Sequence, residues 1–199
     1  MTGWISERLQ RNGSAKIAIV GSAFGVEVRD ALLETSPPVR QSLSVVLLDL
    51  DPAALDFARQ RLQSLLAPEQ LVLQSANLFR LADRPGLTAN LAGANLILCP
   101  GLFDYLDDAT AVATIRCLFN QLARGGELIL FQFAPHNPTR AYMEWFANWY
   151  LIYRDEDAFR RLLDVAQLPD AAMEFAAESL GIDLYAKIRR IESSLPNAV

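Results

Sequence analysis

Five residues, GSAFG at 21–25, stand where an apolar run gives way to a helical pattern, and their types suit contact with a nucleoside. Gly21 allows a sharp turn out of the run, and Gly25 allows the following helix to approach a ligand closely. A dinucleotide fingerprint reads G-x-G-x-x-G and sets the pyrophosphate against the helix N-terminus. Here those positions hold Gly21, Ala23 and Val26, so the close backbone approach that a pyrophosphate needs is lost and NAD is disfavoured. A nucleoside without phosphates tolerates this looser loop; an ordinary turn is the alternative. Asp49, in LLDLDP, follows the next apolar run, where a carboxylate can accept hydrogen bonds from both hydroxyls of a ribose. Asn77, in SANLF, offers an amide to an adenine edge, and asparagine is equally at home in a turn.

A second group of residues has the chemistry to act on a substrate. In CPGLFDYL (99–106), Pro100 and Gly101 end an apolar run, and Asp104 and Tyr105 are then available to a reacting centre. Asp104, Asp107 and Asp108 also suit the cap and first turn of a helix, and Phe103 and Leu106 suit a core. His136 and Arg140 can hold a carboxylate, arginine through two parallel hydrogen bonds. Tyr142, Trp145 and Trp149 recur at three- and four-residue spacing, which puts them on one face of a helix. That face either packs into the core or forms an aromatic wall for a cation or an acyl chain.

Other chemistries lack their residues. His136 is the single histidine, there is no G-x-S-x-G elbow for a serine hydrolase, and no Cys/His spacing suggests zinc. Cys99 and Cys117 read as buried free thiols.

The elements that must carry these residues alternate regularly. KIAIV (16–20), LSVVLLDL (43–50), QLVLQ (70–74), ANLILCP (94–100) and ELILFQF (127–133) read as strands covered on both faces. Helices are expected over 25–36, 51–66 and 107–123, the second with Asp51 as cap and Pro52 at its first position. Gly125 and Gly126 are expected to stop the third, while 78–92 is broken by Pro85 and Gly86. Beyond helices near 139–150 and 155–167, the strands 171–179 and 182–191 are joined by a tight turn and must be antiparallel. The expectation is a Rossmann-like α/β fold: a seven-stranded, mostly parallel sheet with a C-terminal antiparallel hairpin, helices on both faces, in one domain over 1–199.

Composition narrows the partners. At 199 residues, 52% hydrophobic, with a formal charge of -5 and no basic cluster, the chain is a poor nucleic-acid binder. No apolar run approaches the ~20 residues of a membrane span. The opening MTGWISERLQRNGSAK lacks the apolar stretch of a secretory leader, which predicts a cytoplasmic protein with a small-molecule partner.

Five parallel units closed by a hairpin resemble the sheet of class I S-adenosylmethionine-dependent methyltransferases. GSAFGVEV, LLDLDP, GLFDYL, LARGGELIL and HNPTRAYMEWFANWYLIYR together are similar to bacterial methyltransferases of the extracellular factor group, which make 3-hydroxy fatty acid methyl esters. The likeness runs from residue 16 to 190.

It implies S-adenosylmethionine as cofactor, with Gly21, Ser22, Ala23 and Gly25 along its methionine part. Asp49 would hold the ribose, Asn77 would approach the adenine, and Leu50, Leu78 and Gly101 complete the cofactor set. Glu27 matches an acidic position of the first motif, whereas GSAF stands in place of the usual GCGP and Ile19 in place of a frequent acid. Tyr105 and Asp104 fall to the reacting centre, and His136, Arg140, Tyr142 and Trp145 to the acceptor. Members of the group tend to carry extra N-terminal helices that lid the substrate, and only about 15 residues precede the first strand here.

Three functions follow. Methyl transfer to a small acidic acceptor leads, most simply a carboxylate, which is ionised at neutral pH and needs no strong base. Cyclisation of the cofactor's own amino acid portion, releasing methylthioadenosine, and a non-catalytic binding subunit are the others.

Overall fold

The computed structural model describes residues 1–11 and 15–191; positions 12–14 and 192–199 of the domain expected over 1–199 lie outside the described residues. Strands β1 (Ala15–Val20), β2 (Leu43–Asp49), β3 (Leu71–Ser75), β4 (Ala94–Cys99), β5 (Leu122–Phe133), β6 (Ala171–Ala177) and β7 (Asp183–Arg190) form one sheet in the order β3-β2-β1-β4-β5-β7-β6. The first five strands are parallel, and β7 runs antiparallel between β5 and β6. The expected fold class is therefore the observed one.

Alternation along each strand divides the apolar runs between two layers. Ile17, Ile19, Val45, Leu47, Leu96, Leu98, Ile129 and Phe131 face one way. Ala18, Val20, Val46, Leu48, Ile97, Cys99, Leu128 and Leu130 face the other. The first layer is covered by α1 (Thr2–Arg11), α2 (Val26–Leu33) and α4 (Pro52–Leu62), α3 (Pro37–Gln41) being a short turn between α2 and β2. The second is covered by α5 (Asp108–Asn120) and α7 (Glu156–Ala166). Asp51, Asp107 and Asp155 cap α4, α5 and α7, each accepting a backbone N–H with its side chain. Among the described residues, no helix is long and apolar enough to cross a membrane.

Four differences from the expected elements matter for the site. Helix α1 forms in a segment read only as polar. Its Ile5 and Leu9 are buried, the rings of Phe131 and Tyr185 meet Trp4 edge-on, and Arg8 makes a buried ion pair with Glu127 of β5. Helix α2 ends at Leu33, because the two prolines begin a separate turn. Helix α5 ends at Asn120, and Gly125 and Gly126 lie inside β5, near a register shift against β4, rather than stopping a helix. Helix α6 (Arg140–Trp145) covers only half of the expected 139–150. There Asn148 takes a positive φ of 50° and the chain turns back, Trp149 donating its N–H to the Met143 carbonyl.

Candidate functional site

The chain leaves β1 towards β2 on one side and reaches β4 on the other, so a crevice opens between the carboxyl ends of β1 and β4. Gly21 and Gly101 form its crest. With φ of 79°, Gly21 takes a conformation that side chains rarely adopt, and a Cβ there would meet the Pro100 carbonyl at 3.1 Å. Two depressions adjoin along this crest and share Gly21, Pro100, Gly101 and Tyr105.

The first is a groove of about 400 Å³ walled by Asp49, Leu50, Leu78 and Phe79. Asp49 is half-buried and accepts the Ala23 N–H at 2.7 Å with one oxygen and the Asp51 N–H at 3.0 Å with the other. A carboxylate has about four acceptor directions, so each oxygen keeps capacity for a ligand hydroxyl. The same bond holds Ala23 in the left-handed region, at φ of 42°.

The second is a cavity of about 530 Å³. Ser22, Ala23 and Glu27 lie at its β1 side, Asp104 and Tyr105 at its β4 side, and Asp183 and Tyr185 of β7 opposite them. Trp4, Phe131, Phe133 and Trp149 supply aromatic walls. The Ser22 hydroxyl is buried and has no hydrogen-bond partner. Unpaired buried hydroxyls are costly, and this one belongs to a residue that lines the cavity.

Asp104 is fixed from behind. One of its oxygens accepts Gln132 Nε2 at 2.7 Å and the Phe133 N–H at 2.8 Å. Arg154, itself buried, donates to Gln132 Oε1 and to the Phe103 and Leu106 carbonyls, and it pairs with Asp108. Burial pushes the Asp104 carboxyl up to about 6; the bond from Phe133 and the charge of Arg154 pull it down, and the Asp183 charge adds to the rise. Burial, helped by Glu178, likewise raises Asp183 to about 6, against the α-amino group of Met1. The side chains that charge the cavity are acids, Glu27, Asp104, Glu178 and Asp183, with no lysine, arginine or histidine among its described lining residues. Tyr105 accepts Trp149 Nε1 at 2.6 Å, which leaves its own O–H proton to donate towards either depression.

Of the residues singled out in the sequence, Gly21, Ser22, Ala23, Asp49, Leu50, Leu78, Gly101, Asp104 and Tyr105 meet at these two depressions. The others do not. Gly25 is buried under α4, where a Cβ would press on Ala58 at 3.2 Å and Leu47 at 3.4 Å; it serves helix packing rather than a ligand. Asn77 spends its oxygen on the Phe79 N–H as the cap of a short turn, and Leu78 and Phe79 line the groove in its stead. Arg140 pairs with Glu144 over the Tyr153 ring, and His136 is exposed beside Gly181. Tyr142 stacks on Phe146 at the surface, and Trp145 is 91% exposed. The aromatic face is thus neither core nor cavity, and only Trp149 reaches the site.

Trp4, Asp183, Tyr185 and the Gln132–Arg154 support escaped the sequence reading. Trp4, Ile5, Arg8 and Leu9 have the spacing of an amphipathic helix. Asp183 opens an antiparallel strand, whose start lies at the same edge as the ends of the parallel ones.

No protein-family profile and no curated protein matches the chain. Solved structures do share its fold. A possible exported protein from Bordetella parapertussis superimposes with a TM-score of 0.72 at 19% identity, over 96% of this chain and 67% of that one. An O-methyltransferase family protein from Burkholderia thailandensis gives 0.71 at 15% identity, over 98% of this chain and 56% of that one. Magnesium protoporphyrin IX methyltransferase from Synechocystis, with bound S-adenosylhomocysteine, gives 0.63 at 15% identity, over 95% and 82%. The chain spans about two-thirds and just over half the length of the first two. What it shares with all three is the fold.

Proposed function

We propose that the protein binds S-adenosylmethionine across the crest and transfers its methyl group to a small molecule held in the larger cavity. The single observation that carries this reading is the unpaired, buried Ser22 hydroxyl at the carboxyl end of β1, beside Ala23 and one bond away from Asp49. Ser22 and Glu27 offer a hydroxyl and a carboxylate to an amino acid tail, and Asp49 offers free acceptor directions to a ribose. Leu50, Leu78 and Phe79 offer apolar faces to a base. The residues present thus fit the cofactor, and two of the solved structures with this fold are named as methyltransferases.

When bound, the cofactor supplies a methyl group already activated by its sulfonium, so the protein's task is alignment and exclusion of water. Tyr105, shared by both depressions and held by Trp149, stands where donor and acceptor meet. The carboxylate acceptor suggested by the sequence finds no cationic side chain in the cavity to receive it, because Arg140 is engaged with Glu144 outside. A single cytoplasmic domain is in keeping with two free thiols, Cys99 and Cys117.

Calorimetric titration with S-adenosylhomocysteine tests the reading. Saturable micromolar binding, with no comparable heat from NAD, is the expected result. No heat from S-adenosylhomocysteine would overturn it. Mass spectrometry of protein incubated with S-adenosylmethionine and candidate acceptors then separates transfer, which yields S-adenosylhomocysteine, from cyclisation, which yields methylthioadenosine.

A further inference from the structure

We propose that Asp183 is a catalytic base and that the acceptor is a neutral or cationic aromatic molecule whose hydroxyl gives its proton to Asp183. The proposal rests on the methyl-transfer reading above and names its substrate class.

Four observations carry it. The cavity's charged side chains are all acids, Glu27, Asp104, Glu178 and Asp183, against the single ammonium of Met1, so an anionic acceptor meets net repulsion. Its walls are aromatic, Trp4, Phe131, Phe133, Trp149 and Tyr185, and favour a flat ring and a positive charge over ring faces. The two acids flanking Phe133 differ in freedom. Asp104 is held by Gln132 and the Phe133 N–H, whereas Asp183 opens β7 directly across the sheet from Phe133, half-buried on the cavity wall. The orphaned Ser22 hydroxyl on the β1 side, already given to the cofactor's tail, marks the end of the cavity from which the methyl group would come.

In the step, the acceptor O–H bond breaks and its proton passes to an Asp183 oxygen. The acceptor oxygen then forms a bond to the methyl carbon as the carbon–sulfur bond breaks, and that electron pair stays on sulfur as a thioether. A base that titrates near 6 is ionised at neutral pH and still strong enough to assist. The groups facing Asp183 are Asp104, Glu178, Tyr105, Tyr185 and the Met1 amine, with Arg154 behind Asp104. Asp104 adds a second acidic group beside the base.

The test uses three phenols that differ only in the charge of their tail: tyramine, p-cresol and 4-hydroxybenzoate. Binding is followed by the fluorescence of Trp4 and Trp149 in the full chain, with and without S-adenosylhomocysteine. Tyramine and p-cresol are expected to bind at least about tenfold more tightly than 4-hydroxybenzoate, with the tyramine preference growing as pH rises through about 6. D183N should shrink the charge preference at least about threefold and flatten that pH dependence, while S-adenosylhomocysteine affinity stays unchanged. Tighter binding of 4-hydroxybenzoate, no saturable binding of any phenol, or a charge preference untouched in D183N would each overturn the proposal. Failure of S-adenosylhomocysteine to bind wild-type protein would instead overturn the methyl-transfer reading, and the phenol ranking is measured independently of it.

Discussion

The groove and the cavity share a crest but are built in opposite ways. The groove is made by consecutive strand ends, with Gly21, Asp49, Leu78 and Gly101 at or just beyond the ends of β1, β2, β3 and β4. Its key contact, Asp49 to Ala23, spans only neighbouring turns. The cavity is made by parts far apart in the chain: Trp4 of α1, Asp104 after β4, Trp149 in an irregular stretch, and Asp183 of β7. A generic strand-end platform thus sits beside a wall that is particular to this chain. The difference teaches that the fold alone builds the groove, whereas the cavity wall needs its own supports.

The comparison can be broken at those supports. The largest effect is expected from Arg154→Met, which strands Gln132 Oε1 and the Leu106 carbonyl without a donor and leaves the Phe103 carbonyl only the Leu106 N–H. A loss of about 3 kcal/mol in urea unfolding is expected, from two stranded buried acceptors each costing roughly 1.5 kcal/mol. A loss under 1 kcal/mol would mean that the wall stands without it. Next comes Asp49→Ala, on the groove side. Two hydrogen bonds from a ribose to a carboxylate, at about 1–1.5 kcal/mol each after losses, give a thirty- to hundredfold fall in S-adenosylhomocysteine affinity by calorimetry. Phenol binding in the cavity should stay within about twofold, and a matching fall there would erase the division between the two regions. The smallest effect sharpens the contrast within one aromatic run. Trp145→Ala should leave stability and both affinities within about 0.5 kcal/mol, as for an exposed side chain, while Trp149→Ala weakens p-cresol about fivefold.

The same division explains what was legible in the sequence. Apolar runs, Asp51 as cap and the turn at 180–181 spelled out the sheet, because each depends on residues close in the chain. Asp49, Leu50 and Gly101 were legible for the same reason: a strand end is a place that periodicity locates. Arg140 does not line the cavity. Arg154, with the same charge fourteen residues on, is the buried one, and only the docking of 146–154 against Asp104 and Phe133 distinguishes them. Trp145 and Trp149 share a helical spacing, but Asn148 turns the chain between them, so the common face never forms. Helix α1 was hidden by its charges, and Arg8 finds its partner, Glu127, more than a hundred residues away.

The place of β7 between β5 and β6 sets an order of events as the chain is made. Residues 15–106 leave the ribosome with every part of the groove present, and the parallel strands β1 to β4 can pair at once. Phe133 emerges with an unpaired edge and waits for some fifty further residues until Asp183 arrives opposite it. Only then is that hydrophobic edge covered, by a long-range antiparallel pairing whose loop closure is slow. Until β7 is made, the nascent chain has the strand-end groove without the β7 side of the cavity, and β5 is the strand by which it would aggregate.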